Sequence, residues 1–139
     1  MQQWEALMQA TNDAFEKQCY FTALELCQRA LRLATERFKR HDTIDLDRGI
    51  AAVMASYFNL ADTYIALDQL QQADEVFADA STYLQHLLND TETTRLKKSA
   101  VSHACSSLHF ERTQFFHRHK TQLLSDEDTL SSTAGSQLH

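Results

Sequence analysis

Residues 57–80 read YFNLADTYIALDQLQQADEVFADA, and this stretch decides the fold. Tyr57, Leu60, Ala61 and Tyr64 fall at i, i+3, i+4 and i+7, one face of a helix. Ala73, Phe77 and Ala80 form a second stripe of the same period. Between them, Asp68-Gln69-Leu70-Gln71-Gln72 is a polar break with a single apolar residue. Small residues at 61, 73 and 80 let two helices approach closely, and large ones at 57, 64 and 77 fill the remaining space.

Working outward, the chain has 139 residues, enough for one domain with one core. It holds no proline and two glycines, Gly49 and Gly135. A sheet protein needs many turns, which favour those residues, and no alternating strand pattern occurs. The expected fold is all-α: about five helices in antiparallel pairs over residues 1–124, with a disordered acidic tail at 125–139. The predicted helices run from about 2 to 18, 22 to 40, 45 or 47 to 67, 71 to 88 and 92 to 124. His41–Ile44 is read as a loop. Asp45 or Asp47 is placed to cap the third helix, and Asp90 or Thr91 the fifth.

No apolar run approaches the ~18 residues that suggest a membrane span. The N-terminal stretch MQQWEALMQATNDAF lacks the basic start and apolar run of a signal peptide. Three cysteines (Cys19, Cys27 and Cys105) without C-x-x-C spacing read as reduced thiols of a cytoplasmic protein. Net charge is −6 and uneven. Residues 41–94 carry one basic and ten acidic residues, and residues 95–124 carry six basic residues against Glu111. The acidic middle and basic fifth helix are either neighbouring faces that attract or surfaces for different partners.

The 57–80 pattern resembles the tetratricopeptide repeat (TPR), a helix–turn–helix unit of about 34 residues. Tyr57, Leu60-Ala61, Tyr64, Ala73, Phe77 and Ala80 match its signature places. A looser copy starts earlier, with Leu7, Ala10, Thr11 and Ala14 in the first helix and Tyr20, Ala23, Cys27 and Ala30 in the turn and second helix. Equivalent residues such as Ala23 and Ala73 lie 50 apart, as in long-helix variants of the repeat. A third first-helix follows 44 residues after the second, with Val101, Ala104, Cys105 and Leu108 in the places of Tyr57, Leu60, Ala61 and Tyr64. Arg112 and His117 fall where its turn and second-helix alanine belong, so the fifth helix reads as a long capping helix.

The resemblance implies a module that binds an extended peptide or partner helix in a concave groove lined by the first helices. Asn12 and Asn59 match places where peptide-binding members use Asn amides on a ligand's backbone or carboxylate, chemistry suited to an extended main chain. Met8 stands where those members carry a lysine, and Lys97 or Lys98 is placed to supply a basic residue from the third unit. Carry-over adds Phe15, Phe58, Asp62, Ile65, Ser102, Ser106 and His109 to the groove. The competing reading is ordinary: exposed polar residues, and apolar ones buried against neighbouring helices.

Arg95, Lys97, Lys98, Arg112, Arg118 and Lys120 make the fifth helix basic. A regulator contacting nucleic acid through this helix is the alternative function. Against it stand the negative net charge and the lack of a recognition motif. The histidines show no i, i+4 pair, so no metal site or cofactor is expected. No phosphate loop or nucleophile motif suggests an enzyme. The expected partner is another protein or a peptide, in an adaptor, chaperone-like or regulatory role. Bacterial secretion chaperones with TPR folds are one such class. Homodimerisation through the fifth or first helix would cover stacking faces that fewer than three repeats leave open.

Overall fold

The structure, a computed structural model, describes residues 2–40 and 45–138, with side chains over 3–40 and 45–125. Among the described residues there are five α-helices and no strand. They are α1 (Gln2–Glu16), α2 (Tyr20–Arg40), α3 (Leu46–Ala66), α4 (Leu70–Asn89) and α5 (Arg95–Leu138). The loop expected at 41–44 lies outside the described residues. The assignment of α5 runs through Ser125 to Leu138, across the stretch expected as a disordered tail. The side chains of 126–139 lie outside the described residues.

Two helical hairpins repeat with matching turns. In the first, the Gln18 N–H donates to the Phe15 carbonyl at 3.0 Å and the Cys19 N–H to the Ala14 carbonyl at 2.8 Å. In the second, Asp68 donates to Ile65 and Gln69 to Tyr64, both at 2.9 Å. Among the described residues, Gln18 and Asp68 are the two non-glycine residues with positive φ, at 61° and 58°. A single left-handed residue lets the last carbonyls of a helix find partners while the chain reverses. Each hairpin then buries a small stripe, Ala23, Cys27 and Ala30 in α2 and Ala73, Phe77 and Ala80 in α4.

The hairpins stack through α2 against α3, and α5 closes the stack against α4 and α3. Helices α2 and α3 run antiparallel: Phe38 meets Gly49 at one end, and Cys27 meets Thr63 at the other, with Sγ and Oγ1 3.8 Å apart. A Cβ at Gly49 would sit 3.1 Å from Phe38 Cδ1, so a larger residue there would require the Phe38 ring to shift by a few tenths of an ångström. Thr63 Oγ1 donates to the Asn59 carbonyl at 2.8 Å, leaving its lone pair for the Cys27 thiol, whose pKa burial pushes up.

The start of α3 is fixed by Asp45, whose carboxylate accepts from the Arg48 N–H at 3.0 Å. At the start of α5, Thr94 Oγ1 accepts from the Lys97 N–H at 3.2 Å. This puts the cap three or four residues beyond Asp90 and Thr91, the expected caps. Asp90 instead accepts from the Glu92 N–H and shapes the connection. Inside α5 the helical geometry breaks at His119 (φ −119°, ψ 16°), whose ring lies 5.3 Å from Phe115. Beyond the break Leu123 is again buried.

Candidate binding clefts

Two side-chain contacts set α1 beside α3 in parallel. Trp4 Nε1 donates to Ser56 Oγ at 2.8 Å, and Ser56 Oγ donates onward to the Ala52 carbonyl at 2.8 Å. One turn further along both helices, Asn59 Nδ2 lies 3.8 Å from the Met8 sulfur. The amide expected to face a ligand is thus half-buried, with one N–H directed at α1. Asn12 stays exposed one turn after Met8, and Asp62 stays exposed one turn after Asn59.

On the other side of α3, an open cleft of about 470 Å³ separates it from α5. Its α3 wall includes Ala51, Met54, Ala55 and Phe58, and its α5 wall includes His103 and Ser107. Phe58 is half-buried and 6.4 Å from the Phe77 ring, so the wall rests on the core. Asp47 and His103 add one acid and one imidazole to an otherwise mostly apolar lining. Nearby, the packing around Asp62 raises its carboxyl pKa above the usual range. Glu111 raises it further and Arg118 partly offsets this, while the side chain remains exposed to water.

Phe58 lines this cleft, whereas Ser102, Ser106 and His109, carried over from the resemblance, do not. Ser102, Ser106 and His109 are exposed on other sides of α5. The helix is turned so that Ala100, His103, Ala104 and Ser107, spaced at three and four, meet α3. His109 instead lines two clefts along the α4–α5 seam, of about 630 and 230 Å³, which share His109 and Arg112. Arg112 reaches Asp74 at 3.7 Å across this seam. Phe15 caps its own turn edge-on to Tyr20, with ring centres 5.2 Å apart, and Ile65 is half-buried against the core.

The six cations of α5 do not form one patch. Lys97 is buried: its Nζ donates to the Phe38 carbonyl at 3.0 Å and lies 5.1 Å from the centre of the Phe38 ring. Its spacing to Val101, Ala104 and Leu108 had already placed it on the core stripe, a signal masked by its charge. Arg112 pairs with Asp74, and Arg118 acts on Asp62. Arg95 and Lys120 are exposed, and Lys98 is partly so. Among the described residues no three His, Cys, Asp or Glu side chains converge as metal ligands. The three thiols are free. No helix among those residues is long and apolar enough to cross a membrane.

Fold and clefts together define a small all-α protein of two stacked helical hairpins closed by a long helix. The chain belongs to the family described as "Protein of unknown function (DUF2753)", whose model matches residues 2–137. No curated protein and no solved structure matches it.

Proposed function

We propose that this chain is a non-catalytic binding module, an adaptor or chaperone-like component, that takes an extended peptide or a partner helix across the α1–α3–α5 face. The observation that carries the reading is the open apolar cleft between α3 and α5. It is walled by small residues that leave room for a ligand and backed by Phe58. An apolar cleft with a few placed polar groups is the usual form of a recognition site. Asp47 and His103 serve as handles for a ligand's main chain. The repeated hairpin supports the TPR-like reading, because stacked hairpins present such faces to partners. The nucleic-acid alternative loses support from the burial of Lys97 against Phe38, which removes one cation from the basic face.

The test is a quantitative pull-down from native lysate with the wild type, Ala51→Arg and Thr82→Arg. Ala51 is exposed on the cleft wall and Thr82 is exposed on α4. A protein retained by the wild type and Thr82→Arg but lost by Ala51→Arg supports the groove. Equal retention by all three counts against it.

A further inference from the structure

We infer that the seam of α4 and α5 docks an acidic amphipathic helix of another protein, in the place that a second helix of a third unit would fill. This surface lies apart from the α3–α5 cleft. On α1 and α3 the turn comes at Gln18 and Asp68. At the matching place on α5 no turn intervenes, and the helix runs on through Arg112 to the break at His119. The uncovered strip is Lys98, Ser102, Cys105, His109, Arg112 and Phe116, spaced 4, 3, 4, 3 and 4, the repeat of a helix that seats another helix. Its matching residues on α3, Met54, Phe58, Ala61 and Ile65, are buried or half-buried.

A face built only to end the stack carries mixed charges and no large apolar groups. This strip carries cations and no acid, and Phe116 is 42% exposed and Leu124 39% exposed where they line the larger seam cleft. The Arg112–Asp74 bridge is itself exposed, so it competes little with a partner's carboxylate. Ser102 and Cys105 at the middle of the strip let a helix approach closely.

Charge selects the occupant. A second copy laid strip to strip would set Lys98 and Arg112 against their own kind. The evenly charged backbone of a nucleic acid would also meet Asp74 on α4. A helix can turn its acids toward α5 alone.

The probe is a labelled peptide of residues 69–90, the α4 sequence, which is acidic, amphipathic and shaped to lie on a first helix. Its control carries Lys in place of Asp74, Glu75 and Asp79. With the full chain, fluorescence anisotropy is expected to show saturable binding of the acidic peptide and none of the control. Lys98→Glu/Arg112→Glu and Phe116→Asp should each weaken binding about tenfold or more. Ala51→Arg should leave it unchanged, which separates this site from the α3–α5 cleft. Circular dichroism confirms that each variant is folded. Absence of binding, equal binding of both peptides, or indifference to the strip variants overturns the proposal. A dimer that Phe116→Asp converts to monomer assigns the strip to a second copy and also overturns it. Displacement of the peptide by a DNA duplex does the same in favour of nucleic acid.

Discussion

Gln18 and Asp68 hold the same left-handed backbone conformation at the same point of two hairpins, with φ of 61° and 58°. Neither is a glycine, and a side chain in this region strains the backbone. Gln18→Gly and Asp68→Gly should therefore each stabilise the protein by up to about 1 kcal/mol, net of the entropy glycine adds to the unfolded chain. Chemical denaturation of each variant checks this. A loss of stability at either site would mean that the side chain, not the turn geometry, holds that hairpin.

Lys97 joins the start of α5 to the end of α2 through the Phe38 carbonyl and ring. Lys97→Met keeps the buried stem but leaves the carbonyl without this donor, so it should destabilise by about 1–3 kcal/mol. Lys98→Met on the partly exposed neighbour should change stability by about 0.5 kcal/mol or less. Thermal melts of the two variants make the comparison, and equal effects would place Lys97 on the surface.

Asp62 gives the α3 rim a pH dependence. Its folded-state pKa is raised, first by the partial desolvation that neighbouring side chains impose on an otherwise exposed carboxyl and then by Glu111. The folded state then binds the proton more tightly than the unfolded state. Asp62 therefore penalises the fold when ionised, and the penalty fades as pH falls through the raised pKa. Asp62→Asn should be more stable than wild type at pH 7, with the gain shrinking toward acid pH. A gain that is constant from pH 7 to 3.5 would contradict the electrostatic cause.

Tyr57 and Tyr83 pack with ring centres 6.1 Å apart, and burial pushes both phenols up to about 12. Asp79 adds to the shift at Tyr57, and Tyr57 adds to it at Tyr83. The stability tied to their neutral forms is whole below the ordinary tyrosine value of ~10 and is lost as pH rises from there toward 12. Ultraviolet titration should show these two phenolates forming late. Tyr57→Phe/Tyr83→Phe should flatten the alkaline loss of stability.

The all-α fold and the hairpin turn near Asp68 were legible because apolar spacing and the absence of proline leave few alternatives. Phe58 and Ala61 could be placed from the same spacing. The α5 residues of the cleft were not legible, because which side of a helix meets which neighbour depends on its rotation in the stack. That rotation put His103 and Ser107 against α3, and it put His109 on the α4 seam. Lys97 was misread because charge ordinarily signals surface, whereas its spacing signalled core. The break at His119 has no glycine or proline to announce it, and Thr94 lies just beyond the polar Asn89-Asp90-Thr91 stretch that drew attention first.

Site-specific photo-crosslinking in cells tests the proposed binding face most directly. A photoreactive benzoyl-phenylalanine is placed at Ala51, on the α3 wall of the cleft, or at Thr82, exposed on α4. The account predicts a discrete adduct of one partner protein from position 51, absent from position 82 and abolished by Ser107→Arg on the opposite wall. Adducts that are equal at the two positions, or that survive Ser107→Arg, would contradict binding in the α3–α5 cleft.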